Sequence, residues 1–433
     1  MKKLFVLAMI FILVFMVGMV AYAGSELGEM LYGAEWAKGV DELKWGNAGT
    51  MGGDPSIHLV LNCFEDATGI KIIPIEIPGS QVPEYTRAMT LKEATFDTMW
   101  LAATRFFPDF AKQGWVIPLD DMVTEEMKSK WSPSTIEALS YDGKLMAIPH
   151  LNSVRILLVR KDLLKEAGLE VPKTWEDIVE AAKVLTIDKD GDGNIDQWGY
   201  IYSAGAGESA METFSSFLYT AGGSLWNEDG TPAFNSPEGL KALQFMIDLV
   251  HKYKVSSPEV VDFREGNLGD LFIAGGAAMV EFDMSKDVVD SIAKWGKDAV
   301  GGVAPPHPAD VKGPKYFAKP LGVCVSKFAS HPEAAKHLAL MFGTWNTAWL
   351  TGVVEGDTPA YIPIFDNWYF SEHFPFADQV KYIQVNGKTE THSFYSVIEE
   401  VIRVGIQSAI RQTRTPQEAL DWMVEKMKKE NVF

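Results

Sequence analysis

The residues with the clearest potential for chemistry form a short acidic loop in the middle of the chain. Oxygen-bearing side chains occur there at alternate positions: Asp188, Asp190, Asp192, Asn194 and Asp196. With a glycine at the sixth position, this spacing matches the first half of an EF-hand calcium loop. The twelfth position is Gly199, so the usual bidentate glutamate is missing. The loop is therefore either a structural calcium site or a polar turn whose carboxylates stay solvated.

A second motif is rich in glycine. Gly205, Gly207 and Ala210 fit the G-x-G-x-x-A dinucleotide fingerprint between a predicted strand and a predicted helix. The motif lies in mid-chain, so we predict no nucleotide cofactor and interpret it as a helix N-terminus whose amides can donate to a ligand oxygen. Glu212, in the first turns of that helix, is a candidate partner for ligand hydroxyl groups.

Composition and missing motifs exclude several function classes. The chain contains no H-E-x-x-H, G-x-S-x-G or C-x-x-C motif, so it lacks the local signature of a hydrolase or redox enzyme. Its 39 basic and 58 acidic residues give a formal net charge of −19, which disfavours nucleic acid and anionic lipid as partners. Cys63 and Cys324 lie in apolar stretches and are predicted to be buried free thiols rather than a disulfide.

The N-terminal segment predicts export. Two lysines precede an unbroken apolar run from Leu4 to Val20, and Ala21 to Ala23 supply a small-x-small cleavage pattern. Residues 1–23 are therefore predicted to be a cleaved signal peptide rather than a membrane anchor. No cysteine follows the run, so we expect a periplasmic or secreted protein without a lipid anchor.

The elements that must position these residues alternate between helix and strand. A helical pattern begins at Asp54 and stops at Gly69, and a β-branched run follows from Ile70 to Ile77. This alternation predicts an α/β architecture with a largely parallel sheet. Further along the chain, two strands are predicted on either side of a polar segment, His150 to Ser153. We place a crossing between domains at that segment.

Several ordered segments carry a family resemblance. Leu145 to Pro149 reads LMAIP, Leu158 to Leu169 reads LVRKDLLKEAGL, and Val171 to Asp177 reads VPKTWED. The same order continues in Leu271 to Met279, Gly302 to Pro306, His331 to Lys336 and Thr415 to Leu420. Together these segments resemble the family 1 extracellular solute-binding proteins, the maltose-binding-protein-like receptors of ABC importers.

The resemblance implies a two-lobed periplasmic-binding-protein fold, each lobe a mainly parallel sheet flanked by helices, with the ligand cleft between the lobes. The first lobe is predicted to comprise residues 24–150 and 302–362, and the second residues 151–301 and 363–433. The implied function is to capture a small neutral carbohydrate or polyol by hinge closure, as a monomer, and to deliver it to an ABC permease in the cytoplasmic membrane without catalysis.

We expect ligand contacts where strands end or loops enter the predicted cleft. Sugars present apolar faces and a rim of hydroxyls, so aromatic rings and carboxylates, amides or arginines suit them. The candidates are Asn47, Trp100, Arg105, His150, Asn152, Tyr202, Glu212, Phe282, Asp283, Tyr316 and Tyr395. Among these, the resemblance implies a ligand-facing turn at Phe282 and Asp283 and a last-lobe aromatic at Tyr395. Ser285 stands where the family often carries tryptophan, which favours a small saccharide or polyol over a long stacked oligosaccharide.

Two other functions stay open on the sequence alone. A secreted glycosidase would share the leader, the aromatic side chains and the acidic residues. A receptor for a peptide or another non-sugar solute would share the fold. Phosphate-like anions are disfavoured, because Arg105 is the single cationic side chain among the strand-end candidates.

Overall fold

The computed structural model describes residues 35–48, 55–77, 81–105 and 107–433. The predicted signal peptide, residues 1–23, lies outside the described residues. The strands are β1 (Glu42–Ala48), β2 (Lys71–Ile77), β3 (Thr98–Ala102), β4 (Ser140–Tyr141), β5 (Lys144–Leu145), β6 (Ile148–Arg160), β7 (Met279–Asp283), β8 (Val300–Val303), β9 (Tyr316–Val325) and β10 (Gly387–Lys388).

The helices follow the same chain order. They are α1 (Pro55–Thr68), α2 (Gln81–Leu91), α3 (Phe107–Lys112), α4 (Glu125–Lys128), α5 (Pro133–Ala138), α6 (Lys161–Glu166), α7 (Trp175–Leu185), α8 (Ser209–Thr220), α9 (Pro237–His251), α10 (Glu265–Ala274), α11 (Lys286–Trp295), α12 (Pro332–Met341), α13 (Trp345–Leu350), α14 (Trp368–His373), α15 (Ala377–Val385), α16 (Tyr395–Ile410) and α17 (Pro416–Lys429). Short 3-10 helices cover Glu35–Ala37, Pro258–Val261 and Ile362–Asp366, and one π-helical turn covers Thr351–Glu355.

Local sequence signals explain where several helices begin and end. Thr174 and Asp177 form a reciprocal capping box at the start of α7, as predicted, which satisfies two backbone N–H groups. The predicted apolar face of α7 is buried, including Trp175 and Ile178. The helix predicted before Gly69 is confirmed as α1, and Gly69 adopts the left-handed conformation (φ 75°) that ends it.

The strands form a mixed sheet in the order β2-β1-β3-β9-β6-β7, with β8 also paired to β6 and β10 to β9. β1 runs parallel to both β2 and β3. Parallel bridges also join Trp198 to Ala277 and Ile201 to Val280. β6 and β9 run antiparallel to each other and to their outer neighbours β7 and β3. The predicted α/β architecture is confirmed, with antiparallel pairing where the two longest strands meet.

Buried apolar residues form two large cores. One draws mainly on the segment from Leu43 to Ile148 and returns for Val323 to Phe342. The other runs mainly from Val154 to Ala318 and from Ile364 to Val432. Each core therefore combines segments that are distant in sequence, so the chain passes between the lobes more than once. The residue boundaries given above for the two lobes stay a prediction.

β6 and β9 are the strands that pass from one core to the other. The two strands predicted around His150 to Ser153 are wrong, because β6 is a single strand of 13 residues. Its pairing with β9 shifts register between Pro149 and Leu151, and the ladder then continues. The polar segment stays in the strand because its side chains find buried partners from distant parts of the chain. Leu151, Leu321 and Ala102 form a small apolar cluster between the two cores.

Cys63 and Cys324 are both free, which confirms the prediction against a disulfide, although Cys63 is half-buried rather than buried. Burial raises the pKa of the Cys324 thiol far above its usual value, so this thiol is unreactive. Among the residues that the structure describes, no helix has the combined length and apolar character needed to cross a membrane.

Candidate functional site

A cluster of ionisable side chains occupies the junction of the two cores. We call it the interlobe cluster; it contains five carboxylates and three cations, namely Glu208, Glu212, Glu265, Glu281, Asp283, Arg105, Arg155 and Lys319. Buried charges persist in proteins only when partners compensate them, so the geometry of each pair decides what the cluster can do.

Arg155 is the centre of the deeper half of the cluster. The register of β6 and β7 places it directly opposite Asp283, and its side chain is fully buried. Its Nη1 donates to Glu265 at 2.9 Å and its Nη2 donates to the Glu281 carbonyl at 2.8 Å. The carboxylates of Asp283, Glu281 and Glu212 lie 3.5, 3.6 and 3.9 Å from its nitrogens. One guanidinium therefore orients four carboxylates.

Lys319 is the second buried cation of the cluster. It lies on β9, and its Nζ donates to Glu212 at 2.7 Å and to Asp283 at 3.3 Å, with Glu208 at 3.7 Å. Burial alone would lower the pKa of Lys319, but the surrounding carboxylates raise it well above its usual value. Lys319 is therefore a permanent cation between the two lobes.

The carboxylates on α8 and just before it differ in electrostatic environment. Burial and the neighbouring Glu208 carboxylate raise the pKa of Glu212 well above its usual value. Burial acts in the same direction on Glu208, but Lys319 and Arg105 outweigh it and hold the pKa of Glu208 below its usual value. One of these two neighbouring groups thus favours the protonated, hydrogen-donating form and the other the ionised, accepting form.

Arg105 links the two lobes directly. It follows β3 in the first lobe, and its Nε donates to Glu208 at 2.7 Å, with a second short contact from its Nη2 to the same carboxylate. The hydroxyl of Tyr395, at the start of α16 in the second lobe, donates to Glu208 at 3.5 Å. The Arg105–Glu208 contacts join the two lobes, so they favour a closed arrangement, whereas the Tyr395 contact lies within the second lobe.

A second polar group lies beside the crossing strands. The Trp100 indole Nε1 donates to His150 Nδ1 at 3.1 Å, which leaves the proton on Nε2 to reach the Thr351 hydroxyl at 3.2 Å. Trp100 also packs against the small cluster of Ala102, Leu151 and Leu321. Burial lowers the pKa of His150 to about 3, so the ring is neutral at neutral pH.

The predicted site residues fall into two groups. Arg105, Glu212, Asp283 and Tyr395 meet in or beside the interlobe cluster, and Trp100 and His150 lie together at the crossing strands. The remaining candidates are not brought to the cluster. Their role as ligand contacts stays a prediction.

The other candidates lie in core packing or at a strand end. Tyr202 is fully buried and its hydroxyl donates to the Met246 carbonyl. Asn152 is fully buried and donates to the Thr135 hydroxyl. Phe282 belongs to the second core, and the buried Tyr316 ring packs against Tyr382. Asn47 lies near the carboxyl end of β1, and its side chain is outside what the structure describes.

Five members of the cluster are not among the site residues predicted from the sequence: Arg155, Lys319, Glu208, Glu265 and Glu281. The first two did carry a signal, because each is a lone cation within a strand of otherwise apolar or small residues, VRILLV and FAKPLGV. A charge at such a position needs a buried partner. Glu265 gave no such signal, because an acidic residue in the first turn of a helix is usual.

The acidic loop at 188–196 has part of the geometry of a cation site. One oxygen from each of Asp188, Asp190 and Asp196 lies within 4.8 Å of the others. Asp188 also accepts hydrogen bonds from the Gly191 and Gly193 amides, and Asp192 pairs with Asn194. These bonds stabilise the turn with or without an ion, so calcium binding here stays a prediction.

Gly199 explains why the twelfth ligand of the loop is missing. A Cβ at this position would lie 2.1 Å from the Ala182 carbonyl oxygen of α7, which is backbone and cannot rotate away. We expect Gly199→Ala to lower the free energy of unfolding by about 1–3 kcal/mol or more, because the segment around Gly199 must move away from α7. Chemical denaturation measures this loss, and Gly266→Ala, where the added Cβ meets open space, is the matched control. Equal stability of the two variants would contradict the close packing.

Comparison with known proteins gives one family match and several structural likenesses. The model of the family described as bacterial extracellular solute-binding protein matches residues 49–352. The mannitol-binding protein of Pseudomonas aeruginosa is 28% identical over 251 residues, which cover 57% of this chain and 55% of that protein. The maltotriose-binding protein of Pyrococcus abyssi is 24% identical over 292 residues, 62% of this chain and 59% of that protein. The chain thus spans little more than half the length of these relatives.

Solved structures extend the likeness to the whole fold. Maltose-bound MalE3 from T. maritima superposes with a TM-score of 0.77 at 21% identity and covers 90% of this chain and all of that one (100%). A solute-binding protein from Agrobacterium vitis with bound D-mannitol gives a TM-score of 0.70 at 20% identity, over 90% of this chain and 98% of that one. At these identities the likeness establishes the two-lobed fold.

Proposed function

Because the chain belongs to the bacterial extracellular solute-binding proteins, we propose that it captures a small saccharide or polyol at the interlobe cluster and delivers it to the permease of an ABC importer. The observation that carries this proposal is the meeting of charged side chains from both lobes, with Arg105 on one side and Glu208, Glu212 and Asp283 on the other.

The chemistry of the cluster suits a neutral ligand with many hydroxyls. A hydroxyl both donates and accepts, so it can bind an ionised carboxylate, a protonated carboxyl and an ammonium group at the same time. A phosphate-like anion would meet five carboxylates against three cations, and burying it there would be unfavourable. The names of the relatives support this choice, since those proteins are called mannitol-binding and maltotriose-binding.

The proposed mechanism is closure around the ligand without chemistry. The paired strands β6 and β9 join the two cores, and a ligand that contacts both lobes favours the closed state by its differential affinity. We propose that the protein acts as a monomer in the periplasm or outside the cell, and that the closed form is what the permease recognises.

Calorimetry with D-mannitol, D-ribitol, maltose and maltotriose tests the proposal. We expect one-to-one binding by at least one of these probes, with the same compound recovered unchanged, and a higher melting temperature in its presence. Arg105→Gln should weaken that binding about 10-fold or more, because it removes the charge that favours closure. Arg87→Gln is the matched control, since Arg87 pairs with Glu84 and Glu93 on the exposed side of α2.

Three outcomes would reject the proposal. Release of hydrolysis products would establish a glycosidase instead. Stabilisation by a peptide or an ion, and by none of the four carbohydrate probes, would change the class of solute. Equal loss of binding in the Arg105 and Arg87 variants would show that the interlobe cluster is not the binding site.

A further inference from the structure

The described part of the chain passes between the two cores a third time, next to β6. Ala360 belongs to the first core and Ile364 to the second, so the chain leaves the first core just after the segment from Thr358 to Ala360. We call Thr358 to Ala360 the third crossing segment. It pairs with β6, because the Asn152 amide donates to the Thr358 carbonyl at 2.9 Å and the Ala360 amide donates to the His150 carbonyl at 3.0 Å.

One buried side chain joins the third crossing segment to β6. Gln384 is fully buried on α15, whose Val380 and Ile383 belong to the second core. Its Nε2 carries two hydrogens and donates to the Asn152 carbonyl and to the Pro359 carbonyl, each at 3.0 Å. Pro359 has no backbone N–H to contribute, so the pairing between the segment and β6 is short. Gln384 therefore attaches both crossing strands to the second lobe.

Asn152 is also held by the first lobe. Its Nδ2 donates at 3.1 Å to the hydroxyl of Thr135, which lies on α5. That helix packs in the first core through Ala138. The carbonyl of Asn152 is bound by Gln384 from the second lobe. One residue of β6 is thus fixed to both lobes at once, and a rotation of the lobes that keeps both bonds must have its axis close to this residue.

The hydrogen bonding of these two amides differs from that of fully satisfied core groups. Within the described part of the chain, Oδ1 of Asn152 and Oε1 of Gln384 are buried and accept no hydrogen bond. A buried acceptor without a donor lowers the stability of the fold, so core packing alone does not account for these side chains. Their donor groups hold the crossing strands and Thr135, which indicates that their role is to position the strands.

We propose that Asn152 and Gln384 fix the axis about which the two lobes rotate. Asn152 lies at the axis, and Gln384 keeps the third crossing segment and β6 together during the motion. Both are positioning residues that act on the ligand through the orientation of the lobes, and the full burial of Asn152 favours this role over direct contact with the ligand.

The inference rests on the closure in the proposed function. A fixed axis brings Arg105 of the first lobe and Glu208 of the second together along one path. Without a fixed axis, other arrangements of the lobes compete with the one that can close, and the apparent affinity for the ligand falls in proportion.

Distances between spin labels test the axis without any ligand. The labels are attached at Glu125→Cys in the first lobe and Lys297→Cys in the second, both exposed, in a Cys63→Ala background because Cys63 is half-buried. Gln384→Met removes both bonds from α15 with little change in volume, and Thr135→Val removes the anchor in the first lobe. We expect each variant to widen the distribution of label distances in pulsed EPR roughly 1.5-fold or more, because the lobes then rotate about more than one axis.

The matched control is Gln197→Met. Gln197 is buried in the second lobe, and its Nε2 donates to the Leu185 carbonyl at 3.0 Å, so the substitution removes the same kind of bond away from the crossing strands. It should lower the melting temperature and leave the distance distribution unchanged. In calorimetry, whichever of D-mannitol, D-ribitol, maltose and maltotriose binds the unmodified protein should bind Gln384→Met about 3-fold more weakly or worse, and Gln197→Met equally well.

Circular dichroism confirms that each variant is folded, and Thr135→Val alone decides the outcome if Gln384→Met is not. A distance distribution as narrow as that of the unmodified protein in the folded Gln384 and Thr135 variants would overturn the inference. Equal broadening in Gln197→Met would overturn it as well, since it would indicate a general loss of order in the core. If none of the four probes binds, the proposed function fails, whereas the ligand-free distances still decide whether these residues fix the axis.

Discussion

Replacing Arg155 with methionine is expected to lower the free energy of unfolding by about 3–5 kcal/mol near pH 7. Methionine fills a similar volume, but it leaves Glu212, Glu265, Glu281 and Asp283 without the cation that they surround. Removing one member of a buried charge network lowers the free energy of unfolding by more than the whole network contributes to it. The reason is that the remaining charges stay desolvated without their partner. Urea denaturation followed by circular dichroism measures the loss.

The control for Arg155 is an arginine with comparable pairing on the surface. Arg87 contacts Glu84 and Glu93 on the exposed side of α2. Arg87→Met should leave the urea midpoint nearly unchanged, since exposed ion pairs contribute little. Acidification should reduce the difference in the free energy of unfolding between the Arg155→Met variant and the unmodified protein, because protonated carboxyls no longer repel one another. A gap that stays constant from neutral to acidic pH would contradict this electrostatic account.

His150 is expected to make the protein sensitive to mild acid. In the unfolded chain its imidazole binds a proton below about pH 6.5, whereas in the folded protein burial lowers its pKa to about 3. Between these values the unfolded state binds more protons, so the contribution of His150 is present at neutral pH and is lost as the pH falls. From about pH 7 to pH 5 this loss amounts to about 2 kcal/mol.

Substitution isolates this effect from the titration of the carboxylates. Between about pH 7 and pH 5, the free energy of unfolding measured by denaturation should fall in both His150→Gln and the unmodified protein. The fall in His150→Gln should be smaller than the fall in the unmodified protein by about 2 kcal/mol. Trp100→Phe removes the hydrogen bond to His150 Nδ1 but leaves the His150 ring buried. This variant should therefore lose stability in mild acid as the unmodified protein does. If His150→Gln loses as much stability in acid as the unmodified protein, His150 is not the sensor.

Much of the architecture could be predicted where the signal is local. The capping box of Thr174 and Asp177 lies within four consecutive residues, and Gly69 ends α1 because of its own backbone freedom. The single long strand β6 could not be predicted in this way. Its polar residues have the composition of a loop, and only their distant partners explain why they lie in a strand. Asn152 forms a hydrogen bond with Thr135, and His150 forms one with Thr351.

The site was predictable to a smaller degree for the same reason. Glu212 and Asp283 were identified because they stand at a helix start and a strand end, where clefts open. Arg155 and Lys319 lie inside strands, and only the register of β6 with β7 and with β9 brings them to those carboxylates.

The interleaving of the two cores has a consequence for biogenesis. β3 lies near the start of the first core, yet its partner in the sheet is β9, with Thr98 opposite Val325. As the chain leaves the ribosome, the first core cannot be completed until β9 and α12 have been synthesised, because their residues are part of it. Contacts of such long sequence separation form slowly. A nascent chain with such distant contacts stays unfolded for longer. This property suits a protein with a predicted signal peptide, because it would be translocated before it folds.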